Sequence, residues 1–409
     1  MPVARLSARG VQRLNDAVEK AEKSGKLPSF IYGVTNLEEE IYFKASGNLD
    51  FHDPTSPPLT PDSTLWICSM TKLTTAIATH QLIERGLLSY DTPVSKFIPE
   101  FATPVILDPG YKKPSAKLTY KFAKTPITVF HLMNHTSGVY YALRTPNPPY
   151  ALADGYILPH DKEDPHQGFI KIVKKDFPGI PLKFEPGTSW GYGWSSDFLG
   201  IVISRVTGQT LEEYFQENIF KPLGVKMSFY LDPEFRKNLL QMTYSDPDGK
   251  ILPWSNRTTL IEQDPEKGIG SYSSMRDYLT LLRHVLRLKA GLPVEKPLIS
   301  QQSAESLFQP TLTPAGSKAL DHGGLKNLQF STGVALTTED WPGMRKKGSA
   351  WWFGWAGTTY FLDPTTGIAA VVGTQLVPAS NAAVQGLAMK LERTLYANLE
   401  YTSERAHKL

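Results

Sequence analysis

Cysteine is all but missing from this chain: among 409 residues there is one, Cys68. A single thiol excludes an internal disulfide framework and fits a reducing compartment. Cys68 itself reads as small buried packing. Long apolar runs are missing too, so no segment is long enough to span a bilayer. The opening Met1-Pro2-Val3-Ala4-Arg5 lacks the apolar core of a secretory signal. The expectation is an intracellular, cytoplasmic protein with no membrane partner, in which the sequon Asn256-Arg257-Thr258 carries no glycan. An excess of one charge is also lacking. Lys and Arg number 43 against 40 Asp and Glu, and the net charge of +3 with no basic stripe implies no nucleic-acid partner. There is no Gly-rich phosphate loop. The nine histidines show no metal-ligand spacing, since His131 and His135 are four apart without the accompanying Glu. No metal and no cofactor is expected, and His80 reads as a hydrogen-bonded core histidine.

What is present is an ordinary globular composition, 41% hydrophobic and 20% charged, in a chain long enough for two lobes. Apolar spacing predicts a helix over 5–24, strands over 30–35 and 41–45, and a last helix carrying Val384, Leu387, Leu391 and Leu395. A hairpin is expected from 359–362 and 368–377, turning at Asp363-Pro364-Thr365-Thr366-Gly367. Neither end holds enough strands for a sheet of its own. The expected α/β lobe is therefore built from both termini, 1–65 and 310–409, with 66–309 forming a mostly helical lobe and the active site between them. In that middle part Thr210 and Glu213 form a capping box before Leu211–Phe220, and a helix spans 272–289. Residues 104–126 and 145–168 read as long loops, either substrate walls or decoration.

Ser69-Met70-Thr71-Lys72 is the stretch that carries chemistry. Met70, Leu73, Ala76, Ile77 and Ile83 recur at helical spacing up to Gly86. Residues three apart on a helix lie roughly 5–6 Å apart at Cβ, so Lys72 can touch the Ser69 hydroxyl. A serine is a weak nucleophile without a base, and a desolvated lysine with a lowered pKa can be one. Two further segments would complete a serine site. In Phe184 to Tyr192, Tyr192 can relay a proton to the leaving group. In Phe353 to Tyr360, small residues let backbone approach a ligand closely, and an N–H there would join that of Ser69 in an oxyanion hole. Read alone, Tyr192 is equally a packing aromatic and Gly357 equally a bulge.

Together these segments resemble the serine β-lactamase/penicillin-binding-protein-like superfamily along nearly the whole chain. Ser69-Met70-Thr71-Lys72 matches its first motif. Tyr192 falls at its tyrosine motif, and Trp355-Ala356-Gly357 at the Lys-Thr-Gly of class C β-lactamases. The connecting segments 127–138, 219–224 and 268–277 match in order. The resemblance implies a class C β-lactamase-like α/β fold, an antiparallel sheet flanked by helices plus a mostly helical second lobe. Within the superfamily the chain looks most like family VIII carboxylesterases and fungal lovastatin-type transesterases. The usual Tyr-x-Asn is Tyr192-Gly193-Trp194, and the lysine that meets a substrate carboxylate is replaced by Trp355. Arg345, Lys346 and Lys347 lie upstream, either compensating for that cation or forming a solvated loop.

The resemblance implies Ser69 as nucleophile, Lys72 and Tyr192 as the proton-transfer pair, and an oxyanion hole from the backbone N–H groups of Ser69 and Thr358. Trp355, Ala356, Gly357, Trp194 and Tyr141 are the expected substrate-binding residues. The expected activity is that of an esterase or acyltransferase on a hydrophobic small-molecule ester or thioester. An alcohol acceptor or an acyl carrier is a candidate second partner. The alternatives are a β-lactamase or D-amino-acid-specific peptidase, which needs a cation near Trp355, and a non-catalytic binding member of the fold. The closing His407-Lys408-Leu409 loosely matches the Ser-Lys-Leu peroxisomal address, with His in place of the small residue. Nothing in the sequence sets an oligomeric state.

Overall fold

The computed structural model describes residues 3–108, 119–141, 153–158, 161, 163–254, 270–321 and 325–401. The sequon at 256–258 and the C-terminal tripeptide lie outside the described residues. Six helices and seven strands suffice to place the site. The helices are α1 (Ala8–Lys23), α2 (Thr71–Glu84), α3 (Ser195–Thr207), α4 (Leu211–Phe215), α5 (Met275–Lys289) and α6 (Ala382–Tyr396). The strands are β1 (Phe30–Thr35), β2 (Glu40–Ser46), β3 (Gln329–Phe330), β4 (Ala335–Leu336), β5 (Ala350–Gly354), β6 (Thr358–Asp363) and β7 (Ile368–Gly373).

The seven strands form one antiparallel sheet in the order β3-β4-β5-β6-β7-β1-β2, joining the two ends of the chain as their apolar runs imply. β1 and β7 are buried along their whole length, the pattern of strands covered on both faces. The turn between β6 and β7 is fixed by Asp363, whose Oδ1 accepts from the N–H groups of Thr365 and Thr366. Gly367 follows at φ +69°, the left-handed region in which glycine costs least. The expected second strand ends early: β7 stops at Gly373, and Leu376–Val377 pairs instead with Thr243–Ser245.

α1 is shorter than 5–24. Ser7 caps it by accepting from Gly10 N–H at 3.0 Å, and Ala4–Leu6 forms a strand with Leu399–Tyr401. α1 packs on α6 and on β2, while α5 lies against β7 and β1. The sheet is therefore covered in part by α5, a helix that the division at 309 places in the other lobe. α5 begins at Met275, because Tyr272–Ser274 is a strand pairing with Thr64–Trp66 and Met227–Ser228. Ser274 then caps it, accepting from Asp277 N–H at 3.0 Å. The capping box of Thr210 and Glu213 is formed as read. The supposed loop of 104–126 holds two short strands, Val105–Leu107 and Tyr120–Phe122. Among the described residues, no helix is long and apolar enough to cross a membrane.

Candidate active site

Residues 67–72 make a tight turn into α2. Ile67 N–H bonds Ser271 O at 3.0 Å, Cys68 adopts φ +49°, and a single 3-10 turn over Cys68–Met70 leads into the helix. A non-glycine residue at positive φ is strained and persists only where its surroundings hold it. Here the surroundings are close. A Cβ on Gly270 would lie 2.5 Å from Cys68 O, and a Cβ on Gly354 would lie 2.5 Å from Ile67 O. Both glycines let backbone press against the nucleophile turn. The Tyr278 hydroxyl donates to Met70 O at 2.9 Å, and Ser271 N–H to Thr71 Oγ1 at 2.9 Å. The turn is thus anchored from α5 and from the segment before it. Burial pushes the Cys68 thiol well above its ordinary value, which leaves it a packing group.

This geometry sets Lys72 Nζ 3.0 Å from Ser69 Oγ. Nζ also lies 5.1 Å from the centroid of the Tyr192 ring. Tyr192 is held on a segment that crosses the 135–140 stretch. Gly191 N–H bonds His135 O at 3.0 Å, and Gly193 leaves no Cβ to collide with the Tyr140 backbone. Trp352 Nε1 donates to the Tyr192 hydroxyl at 3.3 Å. Ser69, Lys72 and Tyr192 are thus neighbours in the structure.

Lys72 departs from the expectation of a lowered pKa. Burial alone would lower it, but Tyr141, Tyr192 and Asp197 outweigh burial and hold it above its ordinary value. Asp197, the third residue of α3, was not anticipated. Its Oδ1 accepts from the Tyr156 hydroxyl at 2.8 Å, and the Tyr156 hydroxyl is 3.0 Å from that of Tyr141. Its Oδ2 is buried and has no hydrogen-bond partner among the described residues. Burial pushes Asp197 above the usual carboxylate value, while Lys72 and Tyr156 pull it down. An acidic residue in the first turn of a helix is normally read as complementing the dipole, which is why its sequence position gave no signal.

The third segment is arranged differently from its reading. Trp352, not Trp355, touches Tyr192. Trp355 packs edge-on against Trp66 at 5.8 Å and Trp254 at 5.7 Å. Ala356 is fully buried with Trp66, Cys68 and Tyr272, and Gly357 (φ +82°) closes the β5–β6 turn against Thr374. Thr358 pairs with Gly354 on one side and Gly373 on the other, and its Oγ1 donates to Ile67 O at 3.4 Å, beside the turn that carries Ser69. The backbone N–H groups of Trp355 and Ala356 are directed at the Cys68 thiol.

Trp194 is 3% exposed and packs on Tyr141, Tyr156 and Phe169 at 4.6–5.1 Å, a core role rather than a substrate contact. Tyr141 stands edge-on to Tyr192 at 5.4 Å and supports it. Arg345 is buried and paired with Glu392 at 2.6 Å, and Lys346 pairs with Asp340 at 3.1 Å. Neither supplies a cation to the site. Among the described residues, no cluster of three or more His, Cys, Asp or Glu side chains is placed to hold a metal.

Comparison with known proteins agrees with this geometry. The beta-lactamase family model matches residues 14–392. The chain is 28% identical to monacolin J acid methylbutanoyltransferase of Aspergillus terreus, over 97% of this chain and 98% of that protein. It is 28% identical to lovastatin esterase of Penicillium rubens, over 89% and 92%. The structure of simvastatin synthase from Aspergillus terreus superposes with a TM-score of 0.79 at 25% identity, covering 96% of this chain and 99% of that one. Named relatives of this chain are thus acyltransferases and esterases with a serine β-lactamase-like fold. By the extent of the family match and the assembly of Ser69, Lys72 and Tyr192, the chain belongs to the beta-lactamase family.

Proposed function

We propose that this protein is a serine esterase or acyltransferase that carries the acyl group of a small-molecule ester or thioester on Ser69. The observation that carries the reading is the 3.0 Å contact between Lys72 Nζ and Ser69 Oγ, with the Tyr192 ring beside it. Lys72 favours its charged form. The Ser69 proton passes to the Lys72–Tyr192 pair as Oγ attacks the carbonyl, with the Tyr192 oxygen held by Trp352 Nε1 as the relay. The carbonyl oxygen is held by the backbone N–H groups of Ser69 and Thr358. Tyr192 then returns the proton to the departing alcohol or thiol. Water or a second alcohol, activated by the same oxygen, releases the acyl group.

The missing substrate cation argues for esters over β-lactams. The segment that would carry it is neutral, and Arg345 is committed to Glu392. The test is turnover of p-nitrophenyl acetate and butyrate by wild type and Ser69→Ala, repeated with nitrocefin and with an added alcohol. The expected result is ester turnover lost in Ser69→Ala, no nitrocefin cleavage, and formation of a new ester with the alcohol. Ester turnover surviving in Ser69→Ala would remove the nucleophile, and nitrocefin cleavage would restore the β-lactamase reading.

A further inference from the structure

A cavity of about 420 Å³ opens beside the catalytic pair, on the side of the helical lobe. Its volume lies within the range of roughly 300–1,000 Å³ found for small-molecule sites. Lys72 forms part of its wall, and so do Thr71 and Thr75 of the same helix. The facing wall is one stripe of α3, Asp197, Gly200, Ile201 and Ser204, spaced three and four residues apart as one helix face requires. Leu211 and Phe229 extend the apolar surface away from Ser69.

The walls are fixed. Glu212, next to Leu211, accepts from Phe229 N–H at 2.8 Å and from Ser228 Oγ at 2.8 Å, tying α4 to the strand Met227–Ser228 and to Phe229 just after it. Phe229 is backed by Phe215 at 5.6 Å. Gly200 and Leu211 both line the cavity, and a Cβ on Gly200 would lie 3.1 Å from Leu211 Cδ2. A larger side chain at Gly200 therefore takes up cavity space or displaces Leu211.

We propose that this cavity is the chamber for the acyl group, taking a medium-length, largely apolar chain attached to Ser69. The inference rests on the esterase and acyltransferase reading of Ser69. An acyl carbon on Ser69 Oγ is one bond from an atom 3.0 Å from Lys72 Nζ, and Lys72 is itself part of the chamber wall. The alcohol then lies on the other side of Ser69. Burying each methylene of the chain adds to binding, so chain length is read directly as a rate ratio.

The experiment measures kcat/KM for p-nitrophenyl acetate, butyrate, hexanoate and octanoate, and for a second series of acetate esters of increasing alcohol size. Both series are run on wild type, Gly200→Ala and Gly200→Leu. The expected result is an octanoate-to-acetate ratio at least tenfold lower in Gly200→Leu and intermediate in Gly200→Ala, with the alcohol series keeping its wild-type order. An unchanged acyl ratio in a folded variant overturns the proposal, and so does a shift confined to the alcohol series. Should Gly200→Leu fail to fold, the Gly200→Ala ratio decides, with a threefold fall as the expected result. Octanoate binding to Ser69→Ala, measured by calorimetry with and without Gly200→Leu, needs no turnover. Binding weakened at least tenfold by the substitution supports the chamber even if every ester is refused, and binding that it leaves unchanged overturns it.

Discussion

Trp352 Nε1 donates to the Tyr192 hydroxyl across 3.3 Å, linking strand β5 to the segment that carries Tyr192. A hydrogen bond to a charged oxygen contributes about 1.5–3 kcal/mol. Trp352→Phe loses that donor, which stabilises charge developing on the Tyr192 oxygen during proton transfer, while keeping most of the ring packing. The expected result is kcat/KM lower by roughly tenfold to a hundredfold, with the melting temperature within a few degrees of wild type. An unchanged rate would reduce Trp352 to a packing residue.

Asp197 acts on Lys72 from the other side. It and the tyrosines hold the ammonium above its ordinary value against the cost of burial. Asp197→Asn keeps the shape and the contact with Tyr156 but removes the charge. The pKa of Lys72 then falls, so the alkaline limb of the pH–rate profile moves to lower pH and the rate at high pH drops. A profile of kcat/KM against pH for both proteins reads this directly. A limb that stays in place, with only the overall rate changed, would make Asp197 a structural residue.

These two residues show where the sequence was legible and where it was not. Ser69 and Lys72 were readable because their contact is local, three residues along one helical turn. Tyr192 was singled out only through the resemblance of its segment to the family's tyrosine motif, since its spacing alone does not separate it from a packing aromatic. The roles of Trp352 and Trp355 were not, because three positions decide which tryptophan meets Tyr192, and strand register is set by pairing with β6 rather than by composition. The strand Ala4–Leu6 was absorbed into the first helix for the same reason: its partner, Leu399–Tyr401, lies at the other end of the chain. Asp197 was missed because its significance comes from burial beside Lys72, and burial of a helix face depends on what packs there. The seven-stranded sheet was largely foreseen, since its longest strands are strongly apolar and bounded by turns.

Arg345 and Glu392 form a bidentate pair, Nε at 2.9 Å and Nη2 at 2.6 Å, and the guanidinium lies 4.2 Å from the centroid of Phe361. Removing one partner of a buried pair leaves an uncompensated charge and costs about 3–5 kcal/mol. Arg345→Met should therefore lower the unfolding free energy, read by chemical denaturation, by that amount while leaving KM for a neutral ester unchanged at low temperature. A large rise in KM with stability intact would instead place Arg345 at the substrate.

Acid should destabilise the fold through histidines held neutral. Burial pulls His80 down to about 4 from 6.5, and burial with the Lys72 charge pulls His135 down to about 3. Burial and Arg287 pull His284 down to about 4. In each case the unfolded chain takes up a proton near pH 6.5 while the folded protein does not. Stability is thus complete above pH 6.5 and declines as pH falls towards 4, where the folded form also protonates. The sign is that of a depressed folded-state value, with the unfolded state binding more protons inside the window. For His80 the shift corresponds to about 3 kcal/mol. His80 sits on α2, with Nε2 3.0 Å from Thr332 Oγ1, so it joins the nucleophile helix to the segment before β4. His80→Asn lowers stability at neutral pH but flattens the decline between pH 6.5 and 4, because one group no longer titrates differently in the two states. Chemical denaturation of wild type and His80→Asn at pH 7, 6, 5 and 4 measures that difference. Parallel curves would mean that His80 is protonated in the folded protein and that the acid sensitivity arises elsewhere.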